Sequence, residues 1–192
     1  MPPDTHAPYE IVLYPDPMLK KRARPLTPEE VRSGQAGDVN LHELARRMIV
    51  TMEQADGLGL AGPQVGISLR VFTARPGNEH SSPFAVLNPV LNGPEGKAEM
   101  EEGCLSLPGI KHKIMRAERL VLTGLDLEGR PMRIAAAGLE ARIYQHEVDH
   151  LDGTLILQRM GTAARFLHRQ QLRELEDRYE LRKRRRERKD RV

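Results

Sequence analysis

The stretch that decides the reading is Gln145-His146-Glu147-Val148-Asp149-His150. It has the pattern H-E-x-x-H. On a helix the two histidines stand at i and i+4, on one face, where both rings can offer a nitrogen to one metal ion. Glu147 lies about 100° round from His146. From there it can reach a water on that ion but is poorly placed to be a ligand. Upstream, Leu139, Ile143 and His146 share a helical spacing, and Gly153 follows as a stop, so the pattern predicts a helix from Gly138 to about Gly153.

Two histidines are not a complete site. Downstream, His168, Glu174 and Glu176 sit in a charged stretch unsuited to a buried centre. Upstream, the chain's one cysteine stands in Glu102-Gly103-Cys104-Leu105-Ser106-Leu107-Pro108. A lone cysteine is most often an inert core residue. Here, between expected strands and flanked by Gly103 and Pro108, it is the stronger third donor. One thiolate with two imidazoles leaves a fourth position open, and open sites are the catalytic ones. Such donors suit Zn²⁺ and Fe²⁺ alike.

Further out the pattern changes period. Leu41, Leu44, Ala45, Met48 and Met52 mark a helix, with Asn40 and Glu43 as a capping box and Gly57 as its stop. Strands are expected at 69–74, 84–91, 119–126 and 131–135, the last two joined by a turn at 125–130. A short strand is expected at 10–14, a surface loop at 33–38, and disorder over residues 1–9. Residues 162–189 read as one weakly amphipathic helix capped by Thr162. A helix, several strands, a helix and a charged helix give an α+β fold, with mixed or antiparallel sheets around the metal-binding helix. The expected division is a catalytic unit over 1–160 and a basic C-terminal extension over 161–192.

The 192 residues are 39% hydrophobic, enough for a core, though aromatics are only 4% and tryptophan is absent. No run approaches the roughly 20 apolar residues of a membrane span. The first 30 residues offer no signal-peptide stretch. With a single cysteine, a cytoplasmic protein is expected. The formal charge of +3 is uneven. Residues 163–192 hold 12 Lys/Arg and 6 Asp/Glu, so the rest of the chain is net acidic. Residues 181–192 carry eight basic side chains, which suit either a solvated helix end or contact with RNA.

Gly57-Leu58-Gly59-Leu60-Ala61-Gly62-Pro63-Gln64 matches G-x-G-x-x-G. A dinucleotide site needs that pattern between a strand and a helix. Here a helix precedes it and Pro63 follows, so no nucleotide cofactor is expected. The glycines suit a loop pressed against a substrate, ending at the amide of Gln64.

Together, the Gly57–Gln64, Glu102–Ser106 and Gln145–His150 segments resemble the three signature motifs of the peptide deformylase family, in order, over about residues 8–160. The resemblance implies removal of the formyl group from N-formylmethionine on nascent proteins. It implies Cys104, His146 and His150 as metal ligands and Glu147 as general acid/base. Gln64 and the backbone N–H of Leu105 would hold the formyl oxygen. Gly59, with Leu60 and Gly103, would line the pocket. Leu139 and Ile143 are candidate walls of a methionine slot. The implied ion is Fe²⁺, with Zn²⁺, Ni²⁺ or Co²⁺ substituting. The implied partner is a formyl-methionyl peptide; the basic run 181–192, outside the resemblance, adds the ribosome or its RNA as a candidate partner beside the reading as a solvated tail. Three departures stand out. Gly62 replaces a more usual Ala and should loosen its loop. Lys111 stands where Arg is common and cannot make the same bidentate contacts. Residues 28–39 read as a plain surface insertion.

Overall fold

The computed structural model describes residues 7–75, 77 and 82–189. In chain order the elements are α1 Pro28–Ser33, β1 Gln35–Ala36, β2 Val39–Asn40, α2 Leu41–Gln54, β3 Gly59–Ala61, β4 Val71–Ala74, β5 Phe84–Glu95 and β6 Ala98–Gly103. They continue with β7 Lys111–Arg116, β8 Arg119–Leu125, β9 Pro131–Ala137, α3 Gly138–Leu151, α4 Ile156–Arg159, α5 Thr162–Leu167 and α6 Arg169–Lys189. Among these residues no helix is long and apolar enough to cross a membrane.

The main sheet runs β3-β4-β5-β8-β9, every neighbour antiparallel. It is covered on both faces. Successive β4 side chains go to opposite sides, Val71 into a core with α2 and Phe72 into a core with α3. All four β4 residues are buried, as a strand covered on two sides requires. Toward α2 the sheet presents Leu60, Val71 and Leu87 against Leu44, Met48 and Met52. Toward α3 it presents Phe72, Val86 and Leu122 against Tyr144 and Leu151. Each large apolar side chain fully buried here contributes about 1.5–3 kcal/mol. A third core joins the β6–β7 hairpin, α4 and α6 through Ile114, Ile156, Leu157 and Leu175.

The fold is the expected α+β, with α3 central, and the four expected strands form with extended or trimmed ends. Several local expectations are corrected. Asn40 caps α2 by accepting from the Glu43 N–H at 2.9 Å, and no return bond from Glu43 completes a box. The helix ends at Gln54 rather than running to Gly57. Asp56 takes the left-handed turn (φ 52), and the N–H groups of Asp56 and Gly57 bond back to Glu53 and Met52. Residues 10–14 form no strand; their N–H groups at Val12 and Tyr14 bond to the carbonyls of Gln64 and Ser106. Of the expected disordered start, residues 1–6 lie outside the described residues, whereas Ala7 and Tyr9 are tied to α2 through Arg47 and Thr51.

The 28–39 segment is more than a surface insertion. Thr27 and Glu30 form a capping box for α1, β1 and β2 make a small hairpin where a loop was expected, and Val31 and Ala36 join the α2 core. The C-terminal stretch is two helices, broken at His168, and Gly161 rather than Thr162 caps the first. Residues 190–192 of the basic run lie outside the described residues.

Candidate metal centre and substrate cleft

Helix α3 delivers His146, Glu147 and His150; the turn after β6 delivers Cys104. The cysteine Sγ stands 3.2 Å from His150 Nε2, which stands 3.3 Å from His146 Nε2. All three donor atoms lie within 4.8 Å of one another. A tetrahedral ion with N at about 2.0–2.1 Å and S at about 2.3 Å separates its ligand atoms by roughly 3.3–3.6 Å. The donor set and its spacing therefore fit a single soft-to-borderline divalent ion. Electrostatics agree. Burial works against a charged His146, but hydrogen bonds with Cys104 and Glu102 outweigh it and hold the ring well above its usual pKa. His150, buried and facing His146 and Arg116, is held well below. Cys104 and Glu102 thus favour positive charge on the His146 side of the cluster.

A carboxylate fixes the first ring. Glu102 Oε2 lies 3.1 Å from His146 Nδ1, so that nitrogen donates and Nε2 is left to face the cluster. Glu102 is itself held by Arg116, at 2.6 and 2.9 Å, and by Arg142. Burial would raise its pKa, yet the bonds from His146 and Arg116 take it down to about 2. Arg116 also reaches Asp149 at 2.8 Å, and Asp149 binds Arg159 of α4. Arg142 donates to the carbonyls of Ile114 and Ala98. Glu102 and Asp149 stand inside the motifs without a role legible in sequence, and Arg116, Arg142 and Arg159 carry no sequence signal of their own. Charged residues read as surface by default; only the pairing of β6 with β7 brings Glu102 and Arg116 to one interior.

Glu147 has a different setting. It is 3% exposed, and its Oε2 has no hydrogen-bond partner among the described residues. Burial, reinforced by Glu102 and Asp149, pushes its pKa up to about 7 against the pull of His146 and Arg116. That value suits a group that takes and returns a proton near neutrality. Gly59 explains how the carboxylate fits: a Cβ there would lie 2.3 Å from Glu147 Oε1. The backbone of β3 passes over Glu147 only because residue 59 has no side chain.

A cleft of about 540 Å³ opens beside the cluster. Gly59, Gln64, Gly103, Cys104, Leu105, Leu139, Ile143, His146 and Glu147 all line it. Gln64 is anchored by the Ala61 N–H at 2.8 Å, which turns its amide nitrogen toward Ser106 Oγ at 3.2 Å and Cys104 Sγ at 3.8 Å. The Leu105 N–H has no acceptor among the described residues. Leu60 is the exception among the expected lining residues. Its side chain is fully buried against Met48 and Met52, because alternation along β3 turns it to the α2 side. Gly62 does not loosen its turn: a Cβ there would meet the carbonyls of Ile67 and Leu69 at 2.7 and 2.9 Å, so this backbone closes where an alanine would not fit unshifted. Lys111, at the start of β7, and the buried Arg142 also line the cleft. The glycine-rich stretch leads from β3 into a single 3₁₀ turn, Gly62–Val65, not into the helix a pyrophosphate site needs.

Three converging donors, a buried carboxylate without a partner and an open cleft beside both define a hydrolase site on an α+β scaffold. Comparison with known proteins narrows this. The family model for polypeptide deformylase matches residues 8–166, and the chain belongs to that family of enzymes. It is 43% identical to the peptide deformylase of Thermodesulfovibrio yellowstonii over 162 residues, covering 83% of this chain and 93% of that one. The crystal structure of the Legionella pneumophila peptide deformylase superposes with a TM-score of 0.79 at 34% identity, covering 89% of this chain and 96% of that one. That from Thermotoga maritima gives 0.72 at 41% identity, covering 81% and 99%.

Proposed function

We propose that this chain hydrolyses the formyl amide at the N-terminus of newly made formyl-methionyl peptides and releases formate. The observation that carries the reading is the unpartnered Glu147 carboxylate, buried in the cleft beside the Cys104–His146–His150 cluster. Those three residues would hold a divalent ion, Fe²⁺ by family habit with Zn²⁺, Ni²⁺ or Co²⁺ as substitutes. When bound, it would supply Lewis acidity and make water acidic enough to lose a proton near neutral pH. Glu147 takes that proton as water attacks the formyl carbon and passes it to the departing amine. Gln64 Nε2 and the Leu105 N–H donate to the oxygen that gains charge; losing one such donor typically costs about 10²–10³ in rate. Gly59 and Gly103 leave room for a formyl group, and a bulkier acyl group meets the β3 backbone. Leu139 and Ile143 offer an apolar wall to the methionine side chain.

The same reading sets this work in the cytoplasm, where nascent chains emerge. It treats 1–160 as the catalytic unit and 161–192 as an extension whose exposed Arg182, Lys183, Arg184 and Arg185 meet ribosomal RNA. The test is ion analysis of anaerobically purified protein together with formate release from formyl-Met-Ala and acetate release from acetyl-Met-Ala. One ion per chain and a strong preference for the formyl substrate are expected. Cleavage of unformylated internal bonds at a comparable rate would overturn the assignment.

A further inference from the structure

We propose that Arg159, on α4 and outside the cleft, is a positioning residue for the metal cluster, acting on the His146 ring through Asp149, Arg116 and Glu102. The proposal rests on the reading of Cys104, His146 and His150 as ligands. The path is continuous. Arg159 Nε lies 3.0 Å from Asp149 Oδ2, and its Nη2 also meets Oδ1. Asp149 Oδ2 takes a second bond from Arg116 Nη1 at 2.8 Å. Arg116 spends its other donors on both oxygens of Glu102, at 2.6 and 2.9 Å. Glu102 Oε2, which accepts from Arg116 Nη2, is also the oxygen that receives His146 Nδ1.

The physical argument concerns how one guanidinium is shared. Arg116 is buried between two carboxylates that compete for it. Arg159 satisfies both oxygens of Asp149 and so limits what Asp149 draws from Arg116. Without Arg159, the buried Asp149 keeps Arg116 as its only cation among the described residues. A buried carboxylate left short of donors is costly. It relieves that cost by turning Arg116 toward itself, which lifts Nη2 from Glu102 Oε2. That oxygen sets the plane of the His146 ring, and partners of this kind tune metal affinity. An exposed ion pair elsewhere on the chain has no such leverage, being worth about 0–1 kcal/mol and acting on nothing behind it. Arg159 differs because its side chain is half exposed while its guanidinium ends on a buried acid.

The experiment follows Ni²⁺ release from the loaded full-length protein into a chromophoric chelator. Parent, Arg159→Met and Arg159→Lys are compared, each also in a Glu102→Gln background. Release about three- to tenfold faster is expected for both Arg159 variants, below the usual effect of a residue touching the ligand itself. In the Glu102→Gln background the Arg159 effect should vanish, since the path is already cut. Release at the parental rate, or the same acceleration in both backgrounds, overturns the proposal. So does a normal Arg159→Lys beside an altered Arg159→Met, which would make charge rather than the two-pronged contact responsible. If the Met or Gln variants do not fold, the Zn²⁺-loaded Arg159→Lys protein decides alone: the His146 Nδ1–H resonance should move, and an unmoved signal counts against the path. A parent protein that takes up no Ni²⁺ would instead sink the assignment of the three ligands, a separate failure.

Discussion

Two kinds of buried polarity meet around helix α3. On one side, facing the cleft, Glu147 Oε2 is buried without a hydrogen-bond partner among the described residues. On the other, behind the His146 ring, the carboxylates of Glu102 and Asp149 are paired with Arg116, Arg142 and Arg159, although Glu102 and Arg142 reach the cleft wall and Arg142 Nε has no partner among the described residues. Both sides cost desolvation, but only the second recovers it in paired charge. A site that must bind and react keeps its groups unsatisfied; the scaffold behind it uses up its own charges to hold those groups still. Stability and activity should therefore respond oppositely to changes on the two sides.

The sharpest test of the cleft side is Cys104→Ala. The ion should be lost on dialysis and turnover should fall at least a hundredfold, while the ion-free protein melts within a few degrees of the parent. Full ion occupancy after dialysis would show that the sulfur is no ligand. Next comes Glu147→Gln. The ion should stay, and kcat should fall by about 10²–10⁴ as the proton carrier is removed. Because an unpartnered buried carboxylate is replaced by a neutral amide, the ion-free protein should become slightly more stable, by about 1 kcal/mol. A loss of stability instead would mean that Glu147 has a partner in solution and would erase the contrast.

On the other side the signs reverse. Arg116→Met leaves Glu102 without its bidentate partner and Asp149 with Arg159 alone. Breaking a buried pair in this way costs about 3–5 kcal/mol. Calorimetry should show a melting temperature lower by about 10 °C, at roughly 2–4 °C per kcal/mol for a chain of this size. A change under 1 kcal/mol would reduce the network to ornament. Acid titrates the same network. Glu102 has its pKa lowered in the fold, so its contribution is fully present above the ordinary carboxylate range. It fades as pH falls from about 4.5 toward about 2, because the unfolded chain takes up the proton first. In Glu102→Gln that part of the acid dependence should disappear, leaving a flatter stability curve over this window.

The two sides also differed in how plainly the sequence announced them. His146, Glu147 and His150 are legible because helical spacing alone puts the two rings on one face, and Cys104 because no other thiol competes. The helices α2 and α3 and strands β4, β5, β8 and β9 carry ordinary apolar periods. The network does not. In β6 the run Ala98-Glu99-Met100-Glu101-Glu102 looks solvent-facing, and what distinguishes the buried Glu102 from the exposed Glu101 is the strand face it shares with Ile114 and Arg116 of β7. Strand β3 was hidden by its glycine-rich, proline-flanked setting, although its pairing with β4 needs only backbone. The break at His168 was invisible because the flanking residues, Arg165 to Leu172, are all compatible with one continuous helix.

The smallest effect is expected farthest from both sides. Among the described side chains, deleting residues 181–192 removes exposed ones and one ion pair, Arg182 with Glu10 at 3.4 Å, which is largely in solvent and worth little. What anchors α6 lies upstream: Leu175 is 4% exposed in the third core, and Glu176 accepts from the Tyr14 hydroxyl at 2.8 Å. The shortened protein should therefore keep its melting temperature within about 1–2 °C and its turnover on a formyl-Met dipeptide within about twofold. Binding to ribosomes or RNA should weaken, with a shallower salt dependence, as each lost phosphate contact takes one released counterion with it. A large loss of dipeptide turnover would show that the tail belongs to the catalytic side of the comparison. Unchanged RNA binding would mean that its charges serve only to keep the helix end in water.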